Sequence, residues 1–278
     1  MRLQRKLTNK EWEEISEKYK DGGVHDYKGK KTLFYKGEIL YKFETGECLI
    51  YDKDEREFWE VIIVLPGVKV IHYGTFNECI NVKTVIMADT VKRIENEAFD
   101  SCLNLKFVKL SRNLEFIGTN TFWYCKSLTS VFIPASCREI GDWAFYNCKR
   151  LLILVLPPYT QLGEDVFEST AMMKRSPFET DENGDYDRND DNEEETVDQW
   201  IKSINNEEAY VLHRACSSFN PSSENIHALV KRQGIESMRM KNTIGVTPSQ
   251  YLEANKFAEI SEKDIINRYI SEMMGEVF

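Results

Sequence analysis

Residues Arg138–Pro158 read REIGDWAFYNCKRLLILVLPP. An isoleucine, an Ala-Phe pair, a single cysteine and a leucine-rich run follow one another in this stretch. Taken alone, the stretch allows two interpretations: a cysteine active site beside a buried strand, or one unit of a repeat. The neighbouring sequence decides between these two interpretations.

Four segments of 23 residues, from Val68 to Tyr159, align without gaps. A fifth, TQLGEDVFEST, starts the same cycle at Thr160 but is one residue short. The recurring columns are Ile71, Ile94, Ile117 and Ile140; Phe76, Phe99, Phe122 and Phe145, with Phe167 as a shifted fifth member; and Cys79, Cys102, Cys125 and Cys148. Aliphatic residues at the spacing L-x-x-V-x-L close each unit and predict a short strand. Apolar columns at this period predict a solenoid of stacked repeats with one shared core.

The pattern is similar to the BspA-type leucine-rich repeat, L-x-x-I-x-x-x-A-F-x-x-C-x-x-L-x-x-I-x-I-P, from about residue 61 to 169. The resemblance implies a mixed α/β repeat fold, a leucine-rich-repeat solenoid of about four full repeats plus partial ones. Together with the sequences that flank it, the solenoid resembles a family of repeat proteins of unicellular eukaryotes. That resemblance implies an architecture; it does not imply any particular biochemical activity.

The cysteine of each unit is interpreted as core packing, because it recurs once per turn of the solenoid. Free cysteine behaves as a small, buried apolar side chain, whereas a catalytic cysteine needs a base beside one particular position. A redox or metal-binding column is the alternative. No C-x-x-C pair and no paired histidines support a zinc site, so we predict no metal, no cofactor and no catalytic residue.

Four regions follow along the chain. Residues 1–60 predict a helix-plus-hairpin cap, since Thr8 and Glu11 stand at capping-box spacing. The solenoid occupies 61–175. Residues 176–198 predict a mobile linker, because Glu179 to Asp198 hold eleven acidic residues and one arginine. A calcium loop in this linker lacks the required glycine and glutamate; a calcium-responsive role stays a minor alternative.

Residues 199–278 predict a helical segment. Leu212 to Cys216 and the Thr247-Pro248 pair resemble parts of an ankyrin repeat, which implies an ankyrin-like tail of under two units. His213 is interpreted as a turn-stabilising hydrogen bonder. The final stretch, 261–278, predicts an amphipathic helix that packs on the tail or docks into a partner.

The charge and hydropathy of the chain argue against some classes of partner and location. The net charge of −10 argues against nucleic acid and anionic membranes as partners. We expect no transmembrane segment and no signal peptide, and therefore an intracellular, cytoplasmic or nuclear protein with reduced thiols.

Side chains that alternate with the buried strand columns are expected to face outward. They form two columns, Thr84, Phe107, Ser130 and Ile153, and Ile86, Lys109, Phe132 and Val155, and five of these eight residues are apolar. An exposed apolar patch indicates an interaction site. The sequence therefore predicts a non-catalytic protein-binding scaffold. Two alternatives stay open: the chain's own tail covers the patch, or the strand register is wrong and a second layer buries it. The predicted partner-binding residues are Ile86, Phe107, Lys109, Phe132, Ile153 and Val155.

Overall fold

A computed structural model describes residues 7–37, 41–42, 47–48, 58–175, 197, 199–204, 211–217, 223–233 and 235–255. The chain divides into two compact units, Met1–Asp187 and Arg188–Phe278. The acidic linker predicted at 176–198 lies outside the described residues, except for Val197. The helix predicted at 261–278 lies outside them as well.

The first unit begins with helix α1 (Asn9–Lys18), where the capping box predicts a helix start. The Glu11 amide donates to the Thr8 hydroxyl at 3.2 Å, and the Thr8 amide donates to the Glu11 carboxylate at 2.9 Å. These two bonds satisfy amides that have no partner inside the helix.

An antiparallel hairpin follows, formed by β1 (Gly23–Tyr27) and β2 (Lys30–Tyr35). Lys28 and Gly29 connect the two strands and both have positive φ, which a tight two-residue hairpin turn requires. The sequence pattern did not indicate β1. A second short antiparallel pair consists of β3 (Tyr41–Lys42) and β4 (Glu47–Cys48).

The solenoid has two parallel sheets, and each turn of the chain adds one strand to each. The hydrogen-bond register moves by 23 residues per turn, as in Val61↔Thr84 and Thr84↔Phe107. The last step in the second sheet, Glu139↔Gln161, is 22 residues, which confirms the short fifth unit. The first sheet contains β2, β5 (Val61–Val64), β7 (Thr84–Met87) and β9 (Phe107–Lys109), with the pair β11 (Ser130–Phe132) and β13 (Ile153–Val155) in the following turns. The second sheet contains β6 (Val70–Ile71), β8 (Arg93–Ile94), β10 (Phe116–Ile117), β12 (Glu139–Ile140) and β14 (Gln161–Leu162).

Strand β2 pairs in parallel with β5, so the N-terminal hairpin extends the first sheet of the solenoid. At the opposite end, a 3₁₀ turn (Met173–Arg175) follows the last repeat, and the Met172 amide donates to the Leu151 carbonyl at 2.9 Å. The predicted cap therefore continues the β-structure of the repeats.

A third wall joins the second sheet to the first through turns that are not strands. Its amides nevertheless bond to the next repeat: Phe99 N–H donates to the Thr121 carbonyl at 2.9 Å, and Phe122 N–H donates to the Ala144 carbonyl at 2.8 Å. Two residues in each turn have positive φ, such as Asn120 and Tyr124. The chain can bend sharply at each of them because the ladder bonds hold it there.

The solenoid core contains a column of stacked rings. Consecutive centroids of Phe76, Phe99, Phe122, Phe145 and Phe167 are 5.0, 5.2, 5.1 and 5.5 Å apart. Tyr35 of β2 meets Phe76 edge-on at 5.0 Å. The cap thus contributes the first ring of the column.

The turn after each second-sheet strand brings neighbouring repeats into close approach. A Cβ on Gly141 would lie 2.6 Å from the Thr119 amide nitrogen and 2.9 Å from the Gly118 carbonyl carbon. Gly118 and Gly163 are confined in the same way. Glycine is therefore needed here for close packing of the backbones.

The second unit contains short helices: α2 (Val211–Ser217), α3 (Ser223–Gln233), a 3₁₀ segment (Ile235–Arg239) and α4 (Pro248–Ala254). Residues 199–203 are also helical. Helix α4 begins with a capping box between Thr247 and Gln250 and has Pro248 in its first turn. Within the described part of the chain, no helix has both the length and the apolar character that a bilayer crossing demands.

Candidate interaction surface

The outer face of the first sheet is the surface on which the sequence places a binding site. Most of it is buried. Ile86 is 0% exposed and Phe107 is 4% exposed. The prediction that these two side chains face solvent is wrong, because helix α1 packs on them. The apolar cluster that results contains Leu7, Ile15, Tyr19, Phe34, Val61, Ile63, Leu65, Ile86 and Phe107.

Helix α1 is held on this face by one apolar stripe and one ion pair. Trp12, Ile15 and Tyr19 lie three and four residues apart and therefore share a side of the helix. Tyr19 stacks on Phe34 at 3.9 Å. The Lys28 ammonium lies 2.7 Å from the Glu11 carboxylate. The sequence contained this signal, since a helix with such a stripe needs an apolar surface to cover.

Lys109 was expected to point outward as a partner-binding residue, and the expected exposure is wrong. The residue is 2% exposed, and its ammonium donates to the Met87 carbonyl at 2.9 Å and to the Asp89 carboxylate at 2.7 Å. Burial opposes ionisation of Asp89, but the charge and hydrogen bond of Lys109 together hold its pKa below the usual value. The pair fastens the end of β9 to the turn that follows β7.

The far end of the face differs. Phe132 is 5% exposed, so its predicted exposure is also wrong. Ile153 and Val155 on β13 remain partly exposed. The cluster completed by α1 extends only to Phe107. Among the six predicted positions, Ile153 and Val155 are therefore the two that a partner can reach without displacing covering residues.

The cysteine column is packing, as the repeat predicts. Cys79, Cys102, Cys125 and Cys148 are fully buried. The thiols of Cys102, Cys125 and Cys148 each donate to the carbonyl of a phenylalanine 26 residues earlier, at 3.2, 3.3 and 3.2 Å. Burial raises the pKa of the Cys125 and Cys148 thiols. A protonated, enclosed thiol is a poor nucleophile.

The four cysteines of the column are free, and so are Cys137 and Cys216 outside it, which are buried as well. Burial raises the pKa of Cys137 to about 12. Across the residues that the structure describes, no group of three or more His, Cys, Asp or Glu side chains could hold a metal ion. The stretch considered as a calcium loop lies outside those residues.

His213 forms a hydrogen bond to a turn, as predicted. Its Nε2 is 3.0 Å from the Val246 carbonyl, just before the Thr247-Pro248 pair that starts α4. The ring is buried, and burial lowers its pKa. Its geometry and neighbours are those of a structural residue.

The sequence-based predictions did not include a column of polar side chains that donate hydrogen bonds to backbone carbonyls. One residue per repeat, at the turn after each first-sheet strand, donates to a carbonyl that lies 22 or 24 residues earlier, one turn of the solenoid away. The donors are Thr90 to Val68, Asn113 to Asp89, Ser136 to Arg112 and Leu114, and Tyr159 to Ala135. These donors stand 23 residues apart, so a polar column in the alignment was the available signal.

Tyr159 also borders a shallow cleft of about 700 Å³ on the outer side of the second sheet. Glu115, Arg138, Glu139 and Gln161 contribute to its lining. The charges of Glu115, Glu139 and Arg138 are mixed in sign, and the cleft has no group poised as a nucleophile. It is a polar surface of the solenoid.

The stacked two-sheet turns and their 23-residue register agree with a known repeat family. Residues 60–179 match the BspA type leucine rich repeat region, in six copies. The matched range extends beyond both ends of the four full repeats, Val68 to Tyr159.

Several solved structures of leucine-rich-repeat proteins are similar to part of this chain. The T. pallidum leucine rich repeat protein is 27% identical, with a TM-score of 0.39, over 41% of this chain and 56% of that one. A leucine rich cell surface protein from Faecalibacterium prausnitzii is 21% identical, with a TM-score of 0.38, over 51% and 39%. A leucine-rich repeat protein from Bacteroides ovatus is 21% identical, with a TM-score of 0.35, over 53% and 43%. The chain thus spans about half the length of these structures or less. No curated protein matches it.

Proposed function

We propose that the chain is a non-catalytic, protein-binding scaffold whose partner docks on the outer face of the first sheet, at the β13 end. Leucine-rich-repeat proteins generally mediate protein–protein interaction. The observation that carries the proposal is the partial exposure of Ile153 and Val155. They are aliphatic side chains on a face whose other predicted positions are already covered. Exposed apolar side chains next to a buried apolar face favour binding of a partner there.

Ile86, Phe107, Lys109 and Phe132 have a different place in this proposal. Because they are buried, a partner that docks at the β13 end would not contact them directly. A direct role for them requires that their cover moves. Their part in partner binding stays a prediction.

Two observations support a non-catalytic role. The cysteines of the repeats are buried, and burial raises the pKa of the Cys125 and Cys148 thiols. His213 is buried and engaged with a backbone carbonyl. Neither set provides the accessible nucleophile and neighbouring base that covalent catalysis needs.

The test compares partner capture from lysate by three versions of the full chain. They are the unchanged chain, the double variant Ile153→Ser/Val155→Ser, and the control Glu139→Ser/Gln161→Ser on the outer side of the second sheet. We expect mass spectrometry to identify a protein that the unchanged chain and the control retain and the first variant loses at least about tenfold. The circular-dichroism melting curves should stay close to one another. Equal capture by all three versions would contradict the proposal.

A second candidate function places binding on residues 211–255, with the solenoid as a spacer. The contact between His213 and Val246 spans 33 residues, which is the length of one ankyrin unit, and this supports the ankyrin-like interpretation. Met240 is a large exposed apolar side chain in this segment. A partner lost after Met240→Ser and kept after Ile153→Ser/Val155→Ser would favour this second candidate. Docking of the tail on the solenoid and an intracellular location stay predictions.

A further inference from the structure

A row of unpaired cations runs along one edge of the solenoid. In each repeat, a short turn joins the cysteine to the first-sheet strand, and four exposed cations lie on these turns in three successive repeats: Lys106, Lys126, Lys149 and Arg150. We call these four residues the basic ridge. The chain as a whole carries a charge of −10, so this positive edge is not a consequence of overall composition.

The ridge has no carboxylates in its own turns. Residues 79–88, 102–114, 125–138 and 148–163 contain neither aspartate nor glutamate. Lys83, in the first of these turns, is already paired with Glu60 at 2.9 Å. Within the described structure, the four residues of the ridge form no ion pair. Their charges are therefore available to an external anion.

The solenoid fixes the spacing of these charges. Lys106 N–H donates to the Lys83 carbonyl at 3.0 Å, and Leu152 N–H donates to the Thr129 carbonyl at 3.2 Å. Parallel neighbours joined in this way lie about 4.8 Å apart. The ridge therefore extends over two such steps, about 10 Å along the stack of repeats, with Lys106 nearer the first-sheet strand of its turn and Lys126, Lys149 and Arg150 nearer the cysteine of theirs.

Aromatic side chains lie next to the middle of the ridge. The Lys126 ammonium is 4.7 Å from the centroid of the Tyr124 ring, and Trp123 meets Tyr124 edge-on at 4.3 Å. Both rings are partly exposed. A ligand on the ridge can therefore combine ion pairs with apolar contact.

We infer that the basic ridge binds an acidic segment of a partner polypeptide. A flexible chain with closely spaced carboxylates can match four cations at this spacing. A nucleic acid fits less well, because its phosphate backbone would continue past the ridge toward the carboxylates of Glu78 and Asp100 on the third wall. This inference rests on the proposed function as a protein-binding scaffold and adds the chemistry of the partner.

The experiment measures fluorescence anisotropy of a labelled 12-residue peptide of alternating Glu and Ala, with a Gln-for-Glu peptide as the matched probe. The full chain is compared with the triple variant Lys126→Gln/Lys149→Gln/Arg150→Gln. The control, Lys10→Gln/Lys20→Gln/Lys69→Gln, removes the same charge from exposed positions elsewhere in the first unit. At 50 mM salt, the ridge variant should bind the acidic peptide about tenfold more weakly than the control. The difference should shrink at 300 mM salt.

Three outcomes would overturn the inference. One is equal binding by the ridge variant and the control. Another is binding of a 20-nucleotide oligodeoxythymidylate that depends on the ridge and is tighter than binding of the acidic peptide. The third is binding that appears only after the eleven acidic residues of 179–198 are changed to amides, because the chain itself would then compete for the ridge.

The two proposals fail separately. If the peptide binds the ridge while Ile153→Ser/Val155→Ser loses no captured protein, the site proposed on the strand face fails and the ridge stands. If capture depends on Ile153 and Val155 while the ridge variant binds the peptide as the control does, only the ridge is wrong.

Discussion

Cys102, Cys125 and Cys148 fill the core and also complete a hydrogen-bond pattern. The Phe99 carbonyl accepts the Cys102 amide at 3.4 Å from its own turn and the Cys125 thiol at 3.3 Å from the next repeat. A buried carbonyl with two acceptor positions is stabilised by the second donor. An alanine at the cysteine position would keep the first bond and lose the second. Packing and this hydrogen bond therefore explain why cysteine recurs in each repeat, without any reaction of the thiol.

Asp100 gives a prediction at the scale of one residue. Burial raises its pKa from 3.8 to about 6; the bond from Ser101 partly opposes this rise, and the nearby Glu97 and Glu78 carboxylates add to it. Between pH 4 and pH 6 the folded chain therefore holds a proton on this group that the unfolded chain has released. The stability due to Asp100 falls as the pH rises through this window, by about 1–2 kcal/mol once solvent screening of this half-buried carboxyl is included.

We expect Asp100→Asn to melt at a higher temperature than the unchanged chain at pH 7.5, with the difference disappearing near pH 4. Thermal melts at half-unit pH intervals measure this. Glu139→Gln, an exposed position, is the control for removal of one negative charge. A gain from Asp100→Asn that is constant from pH 4 to pH 7.5 would contradict the assignment.

At the scale of elements, the ring column connects all turns of the solenoid. Phe122 stacks on Phe99 at 5.2 Å and on Phe145 at 5.1 Å, whereas Phe167, among the described rings, stacks on Phe145 alone, at 5.5 Å. In a solenoid each repeat contacts only its neighbours. A ring inside the column therefore supports two interfaces, and the last ring supports one.

Leucine substitutions test this difference. Phe122→Leu keeps an apolar side chain but loses two ring pairs, and we expect a loss of about 1–3 kcal/mol in the free energy of unfolding from the pairs alone. Phe167→Leu loses one ring pair and should cost about half as much. Urea unfolding of both variants measures the ratio. Equal losses in the free energy of unfolding for the two variants would show that the contributions of the ring pairs are not additive along the column.

At the scale of the first unit as a whole, the N-terminal cap is part of the solenoid. Strand β2 is hydrogen-bonded to β5, Tyr35 contacts the ring column, and α1 covers the outer face of the first sheet as far as Phe107. These three contacts link residues that are distant in sequence. The cap closes an apolar end and an apolar face that open solenoids must protect from water.

Ile15→Asp tests the cover. Ile15 is 1% exposed within the cluster on the strand face, so a charge there should displace α1 and expose Ile86 and Phe107. We expect faster amide exchange in α1 and higher fluorescence of a hydrophobic dye, with exchange in the ring-column repeats little changed. Glu13→Gln, exposed on the same helix, is the control. If dye binding and exchange in α1 match this control, α1 does not cover the face.

The repeat, its 23-residue register, the short fifth unit, the buried cysteines and the capping box at Thr8 were all readable from the sequence. The repeat features depend on periodicity and the capping box on a short local motif, and a single sequence displays both directly. The sequence also identified the outward columns of the first sheet, since alternation fixes the side of a strand on which each side chain lies. It did not determine what covers those columns. Helix α1 lies on Ile86 and Phe107, and Lys109 turns back to Asp89, through contacts between distant residues that leave no periodic signal. Only the tertiary structure could show that Ile153 and Val155 remain partly open.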